Sequence, residues 1–241
     1  MKSTVMIRRL KKDVLSQLPS KRRQQAICYV HITNNLMQKT CFFMSFFCPQ
    51  VFLDLAEQDM RQMNILFREL EVTKRKVKAC LSKEEAESLK LEEKQIINKI
   101  YNDSAEAKIP AVLDYLGTII EEGCKFLIFA HHQSMIQSIH DFLLKKKVGC
   151  IRIDGSTPAA GRQALVADFQ EKSSIKAAVL SIRAGGVGLT LTAASTVIFA
   201  ELSWTPGDII QAEDRAHRIG QASAVNVYFL LANDTVDDII W

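Results

Sequence analysis

The sequence predicts an α/β protein: a parallel sheet with helices on both faces, preceded by a mainly helical segment. From residue 109 onward, strand-like runs alternate with amphipathic helical patterns. These runs are apolar along most of their length, as in parallel strands that are buried on both faces. Residues 57–101 are rich in Glu, Lys, Leu and Ile and contain almost no Gly or Pro, which predicts long helices.

The first part of the chain predicts mostly helix. Residues 5–18 have a helical apolar period with a basic opposite face, and Pro19 ends that helix, while residues 24–32 alternate like a strand. The helices of 57–101 are expected to form a hairpin or protrusion. The apolar run "CFFMSFFCPQVFLDLA" (41–56) leaves two alternatives open: a helix packed within the protrusion, or an aberrant segment.

The second part predicts the sheet, because strands that alternate with helices are joined by right-handed crossovers and pair in parallel. The predicted strands are 125–130, 150–155, 176–182, 195–201 and 224–232. The predicted helices between them are 134–147 and 158–170.

The length, composition and net charge of the chain exclude several classes of protein. With 241 residues and 48% apolar residues, the chain can bury a core, so a disordered protein is not expected. A net charge of +4 allows a local basic patch without requiring one. The six cysteines include no CxxC, which favours a reducing compartment over a disulfide scaffold or a zinc site. No signal peptide or membrane span is recognisable, so we expect a soluble intracellular protein.

Ligands of parallel α/β sheets bind beyond the carboxyl ends of the strands, and three predicted loops leave such ends. The loop "RAGGVGLTLTAAS" contains Gly185, Gly186 and Gly188, whose exposed backbone amides suit a phosphate, although such a loop can simply turn the chain. In the loop "HHQS", His131 and His132 are predicted to be polar groups at a strand end, and no metal site is expected. Trp204 taken alone predicts a core residue.

"QAEDRAHRIGQ" (211–221) suggests an anion site. At helical spacing, Gln211, Arg215 and Arg218 would share one face of a helix that stops at Gly220. Guanidinium forks suit phosphate oxygens. The alternative is that these arginines form ion pairs, for example with Glu213 or Asp214.

Together these stretches resemble a family. "LSIRAGGVGLTLTAASTVIFAELSWTPGDIIQAEDRAHRIGQ" (180–221) is similar to motifs V and VI of Swi/Snf-type ATPases, in the second helicase superfamily. Their motif IV resembles "KFLIFAHHQSM", and the strand and turn after it resemble "IRIDGST". The segment between their two RecA-like lobes resembles "MIRRLKKDVLSQLPSK". Within the family, "GLTLTAAS" and "FAHH" are most like the annealing-helicase branch.

The resemblance implies roles for particular residues. Arg215 and Arg218 would be arginine fingers that reach the ATP γ-phosphate, with Gln211 beside them. Gly185, Gly186 and Gly188 would couple the nucleotide to DNA. Arg152, Arg183, Trp204 and the basic run 8–12 would contact the DNA backbone. Relatives read "WNP" and "GINLT" where this chain has "WTP" and "GLTLT", so no role is transferred to Thr190.

The resemblance also implies that the motor has two RecA-like lobes. The sequence lacks GxxxxGK[ST] and an acidic box, which belong to a first RecA-like lobe and hold most of the ATP and Mg²⁺. Residues 1–38 would then be an inter-lobe linker, 39–106 a helical protrusion, and 107–241 the second RecA-like lobe. The expected partners are that first lobe, DNA in the nucleus, and replication factors bound through other regions. No membrane is involved, and the chain alone should not hydrolyse ATP.

Three functions are compatible with the sequence. The first is the motor lobe of an ATP-driven translocase that anneals or remodels DNA, such as stalled forks. The second is a truncated lobe that only binds DNA or a partner. The third, a dinucleotide-dependent oxidoreductase, is disfavoured because no early GxGxxG is followed by a ribose-binding acid.

Overall fold

A computed structural model gives the fold of the protein and describes residues 21–22, 50–80, 82–183, 189–218 and 221–240. The described residues form one sheet of seven strands, and all the strand pairs are parallel. The strands are β1 (Lys21–Arg22), β2 (Gln50–Leu53), β3 (Phe126–Ala130), β4 (Gly149–Ile153), β5 (Ile175–Ser181), β6 (Thr196–Phe199) and β7 (Val225–Ala232). Their order is β1-β7-β6-β3-β5-β4, and β2 also pairs with β7.

The helices in the described part of the chain are α1 (Glu57–Ala79), α2 (Lys83–Glu121), α3 (Gln133–Lys145), α4 (Ala159–Glu171), α5 (Pro206–Glu213) and α6 (Asp237–Ile240). The predicted α/β fold is confirmed, and the five strands and two helices predicted after residue 109 lie within one or two residues of the observed bounds. None of the described helices is long and apolar enough to cross a membrane.

Both faces of the sheet are buried, which explains why its strands are apolar throughout. On one face, Leu127 and Phe129 of β3 belong to a core with Phe169 of α4. On the other face, Ile128 packs in a core with Leu116 of α2. Each such side chain, when fully buried, contributes about 1.5–3 kcal/mol to folding.

Three phenylalanines on neighbouring strands form a row through the first of these cores. Phe129, Phe199 and Phe229 occupy partner positions of β3, β6 and β7. Their rings stack with centroids 5.3 and 4.9 Å apart. Such pairs add about 0.5–1.5 kcal/mol beyond the area they bury, so the row fixes the register of the central strands.

Helices α1 and α2 form the predicted hairpin. Their facing sides bury Met63, Leu66 and Leu70 of α1 against Ile96 and Ile100 of α2. The charged side chains lie on the outside, where i,i+4 ion pairs such as Arg61–Glu57 form.

Helix α2 is longer than the sequence predicts. It continues without a break past residue 107 and through Pro110, and its second half covers the sheet. The helix therefore belongs both to the hairpin and to the sheet domain. The division of the chain at 38/39 and 106/107 stays a prediction.

The outer edge of β7 holds the first two strands. The prediction of a helix packed within the protrusion is wrong for residues 50–53, which form β2. The reason is the alternation of this segment: Val51 and Leu53 point into the core shared with α2, while Phe52 packs on the opposite face. The predicted helix 5–18, the predicted strand 24–32 and residues 41–49 lie outside the described residues.

Candidate nucleotide and DNA site

The carboxyl ends of the parallel strands meet at one edge of the sheet, and the polar residues of the predicted loops lie there. Strand β3 leads into His131, β4 into Asp154, β5 into Arg183 and β6 into Glu201. Because β6, β3, β5 and β4 are consecutive in the sheet, these loops are neighbours. The edge therefore has the position at which α/β sheets bind their ligands.

The prediction that Gln211, Arg215 and Arg218 share one helix face is wrong. Helix α5 ends at Glu213, and Gln211 is exposed whereas Arg215 is only 8% exposed. After the helix, the amide of Arg215 donates to Ala212 O and that of Arg218 donates to Ala216 O, so the chain continues in tight turns. Gly220, the predicted stop, lies outside the described residues.

A tertiary contact replaces the helix. The carbonyl of Arg215 accepts a hydrogen bond of 3.0 Å from the amide of Leu191, in the segment that follows β5. The Arg218 guanidinium donates from Nη1 to Thr190 Oγ1 at 3.0 Å and to Leu189 O at 3.3 Å. The two motifs that flank β6 are therefore joined side by side at the carboxyl edge.

The two arginines lie close enough to affect each other. Burial lowers the pKa of Arg215, and the charge of Arg218 lowers it further, while Asp214 acts in the opposite direction. A guanidinium stays charged even so. Two neighbouring cations, one of them largely removed from water, are stabilised by an anion that bridges them, as a phosphate can.

Glu201 is the centre of a second cluster on this edge. It is 5% exposed, and its Oε2 accepts hydrogen bonds from the amides of His131 (2.7 Å) and His132 (2.9 Å). Its Oε1 is 2.6 Å from His132 Nδ1, and His132 Nε2 is 3.2 Å from Asn102 Oδ1 of α2. Burial by itself would raise the pKa of Glu201, but its bonds to His132 and the charge of that ring outweigh burial and lower it.

Tyr101 of α2 connects this cluster to Trp204. Its ring centroid lies 4.5 Å from that of His132 and 5.8 Å from that of Trp204. Burial raises the pKa of Tyr101, and the carboxylate of Glu201 raises it further. Trp204 packs against Tyr101 of α2 and is still 49% exposed to solvent. The prediction of a core residue from Trp204 alone is therefore wrong.

We expect Glu201→Gln to lower the free energy of unfolding at pH 7 by about 1.5–3 kcal/mol, because bonds to a charged acceptor are lost. The folded protein holds the Glu201 pKa below the ordinary value of 4.5, so this stabilisation exists above that pH and is lost as the pH falls through the folded pKa. The stability difference between parent and variant should therefore shrink in acid. Denaturant titrations of both proteins from pH 7 to pH 3 measure it, and a difference that grows in acid would contradict the assignment.

Arg152 and Asp154 order the loop after β4. Asp154 is fully buried, and its carboxylate accepts from the amide and hydroxyl of Ser156 at 2.9 and 2.6 Å and from Arg152 Nε at 2.8 Å. The hydrogen bonds from Ser156, followed by those from Arg152, hold the pKa of Asp154 well below its usual range. Arg152 also donates to Gln137 and Gln133 of α3, so much of its guanidinium is already engaged within the chain.

Comparison with known proteins identifies the domain. Residues 107–220 match the family model described as helicase conserved C-terminal domain. Over 244 residues the chain is 40% identical to the SWI/SNF-related matrix-associated actin-dependent regulator of chromatin subfamily A-like protein 1 of Xenopus laevis. It is also 40% identical over 238 residues to the DNA annealing helicase and endonuclease ZRANB3 of Mus musculus.

Residues 107–220 carry a helicase C-terminal domain, and nearly the whole chain is similar to a SWI/SNF-related protein and to a DNA annealing helicase. These two alignments cover 100% and 98% of the chain but only 22% and 19% of the relatives, so it spans about a fifth of the length of the curated relatives it matches.

Solved structures share the fold. The C-terminal part of the Fun30 ATPase domain superposes with a TM-score of 0.67 at 22% identity, covering 79% of this chain and 86% of that one. The SWI2/SNF2 ATPase core of Sulfolobus solfataricus, solved in complex with double-stranded DNA, superposes with a TM-score of 0.56 at 24% identity. That match covers 79% of this chain and 42% of the other. At these identities the likeness shows the fold alone, which is the RecA-like α/β architecture.

The structure brings together some of the predicted Swi/Snf-type residues. Arg215 and Arg218 adjoin the loop after β5, whereas Gln211 is an exposed residue of α5. Arg183 is exposed beyond β5. His131 and His132 are strand-end polar groups, as predicted. The described residues contain no cluster of His, Cys, Asp or Glu suited to a metal. Gly185, Gly186 and Gly188 lie outside the described residues, and their roles stay predictions.

Two buried charged residues were missed in the sequence analysis, although the sequence around each of them is distinctive. Glu201 stands within the apolar stretch "STVIFAELSW", and Lys108 stands within the apolar second half of α2. A charged residue inside a buried run needs a partner, so its presence predicts an ion pair or a hydrogen-bonded hub. The partner itself is distant in sequence, which is why its identity was not predicted.

Proposed function

We propose that this chain is the second motor lobe of an ATP-driven translocase on double-stranded DNA, which anneals or remodels structures such as stalled replication forks in the nucleus. ATP and Mg²⁺ would be held mainly by a first RecA-like lobe with a P-loop and an acidic box. Arg215 and Arg218 would complete the site from this side. Replication-factor partners would bind through regions outside this chain.

The observation that carries the proposal is the docking of Arg218 on the segment that follows β5. Through Thr190 and Leu189, a guanidinium suited to a γ-phosphate is held by the loop whose glycines are proposed to report DNA contact. DNA binding and hydrolysis would then be linked by two adjacent loops. The relatives' names, a DNA annealing helicase and a chromatin regulator, support the same class of substrate.

A non-catalytic lobe that only binds DNA or a partner is the alternative. The observation that favours it is the lack of GxxxxGK[ST] in the sequence, which leaves this chain without a cradle for the β-phosphate. Both functions include DNA binding. They differ in whether the protein that contains both lobes hydrolyses ATP.

We expect the chain to bind duplex DNA through phosphates, with an affinity that falls as salt rises and changes little with sequence. Each phosphate contact should add about 0.9 to the slope of log affinity against log salt. Arg183→Ala should lower that slope by about one contact, because Arg183 is exposed beside the cluster that holds Trp204. Fluorescence anisotropy at several salt concentrations, on two unrelated duplexes, measures this.

Lys145→Ala is the matched control. Lys145 is an exposed cation at the end of α3, next to the start of β4 and therefore at the opposite edge of the sheet. Its removal lowers the net charge equally but should leave the salt slope as it is. A flat salt response in the parent protein, or equal effects of the two variants, would refute the placement of DNA at the carboxyl edge.

A further inference from the structure

Strands β1 and β2 occupy the same edge of β7, one after the other. Lys21 and Arg22 pair with Val225 and Asn226, and Gln50 to Leu53 pair with Phe229 to Ala232. Strand β6 occupies the other edge of β7, from Asn226 to Phe229. Only the two positions 227 and 228 of β7 lie between the stretches paired with β1 and β2.

The sequence between the two strands is far longer than this gap. Arg22 and Gln50 are 28 positions apart, whereas their partners Asn226 and Phe229 are three apart. A strand that ran without interruption along β7 would need two residues between Arg22 and Gln50. The chain therefore holds 25 residues more than the pairing requires.

The side chains of β2 follow the faces of their partners on β7. Paired residues of parallel strands point to the same face, and Val51 and Leu53 share a core with their partners Leu230 and Ala232. An uninterrupted strand that keeps both pairings would place Arg23 opposite Val227 and Gln24 opposite Tyr228. Keeping both pairings in this way leaves out 25 residues.

We infer that residues 25–49 are an insertion within one edge strand, and that the sheet folds without them. The described strands β1 and β2 are then two parts of that one edge strand. On this inference, residues 50–53 of the apolar run 41–56 belong to the sheet and residues 41–49 belong to the insertion. The inference rests on register alone and does not depend on the proposed function.

Deletion of residues 25–49 tests the inference. Closing 25 additional residues between two paired stretches lowers the folding equilibrium constant by up to about 100-fold, so the deletion should raise stability by up to that factor. The variant should be soluble and should melt at a higher temperature than the parent. Hydrogen exchange should show that the backbone amides of β7 stay protected in the variant, because the joined strand keeps the pairings of both β1 and β2.

Two deletions of neighbouring length are the controls. Deleting residues 26–49 leaves one residue too many, and deleting residues 24–49 leaves one too few. A shift by one residue turns every side chain of a strand to the other face, so β1 and β2 cannot both keep their pairing. Both controls should melt below the 25–49 deletion. If the 25–49 deletion melts no higher than these controls, or does not fold, the inference is wrong.

Discussion

Replacing Arg218 by alanine should lower DNA-stimulated ATP hydrolysis about 10³-fold in the protein that contains both lobes, as the loss of other arginine fingers does. A finger that completes its contacts only when the lobes close stabilises the transition state more than the bound ground state. The loss should therefore appear in kcat, while ATP and DNA binding stay nearly unchanged. Steady-state ATPase assays with saturating DNA, together with nucleotide and DNA binding, measure this split.

The structure adds a second consequence of that change, and a control for it. Arg218 also donates to Thr190 Oγ1 and Leu189 O, so its removal loosens the junction of two loops. Thr190→Val removes the hydroxyl acceptor while keeping the arginine and the size of the side chain. If Arg218 acts on ATP, the valine variant should keep most of the turnover. If Arg218 is only a structural tie, both variants should lose stability and keep nearly normal turnover per folded molecule.

Arg218→Lys should recover little, because an ammonium cannot reproduce the planar fork of a guanidinium. Thermal melting of the same preparations gives the folded fraction. A purely structural ion pair, the alternative for these arginines, would reduce stability and leave turnover per folded molecule nearly normal. Normal turnover of the folded Arg218→Ala variant would eliminate the finger.

The sheet could be predicted from the sequence because its signal is local. An apolar run such as "KFLIFA" between polar residues is too short for a helix and is buried on both faces, and its neighbours repeat the pattern. The length of α2 could not be predicted in the same way. Its apolar residues change partner, from α1 at Ile96 and Ile100 to the sheet at Val112 and Leu116, without any break in the helix.

The end of α5 shows a different limit. The residues after Glu213 have helical spacing and good helix propensity, yet the carbonyl of Arg215 is bonded to Leu191 instead of continuing the helix. That bond joins residues far apart in sequence, so no local pattern reveals it. Residue types in "QAEDRAHRIGQ" still indicated an anion site, because a guanidinium has the same chemistry in a turn as in a helix.

The buried ion pair between Lys108 and Asp237 should be among the most sensitive points of the fold. Lys108 Nζ lies 2.7 Å from Asp237 Oδ2 and donates to Leu230 O at 2.9 Å, and the two residues are 1% and 3% exposed. The same carboxylate oxygen accepts from the amide of Ala232 at 3.0 Å. The pair thus joins the second half of α2 to the end of β7 and to α6.

Lys108→Met should lower the free energy of unfolding by about 3–5 kcal/mol, because it leaves the Asp237 carboxylate buried without its cation. The double variant Lys108→Met with Asp237→Asn should recover part of this loss, since the carboxamide is neutral and can still accept from Ala232. Arg61→Met, which breaks an exposed ion pair of 3.0 Å on the hairpin, should leave the melting temperature close to that of the parent. Urea denaturation of the four proteins measures the series. A double variant less stable than Lys108→Met would show that the unpaired charge is not the cause, because removing that charge is the only gain the second substitution offers.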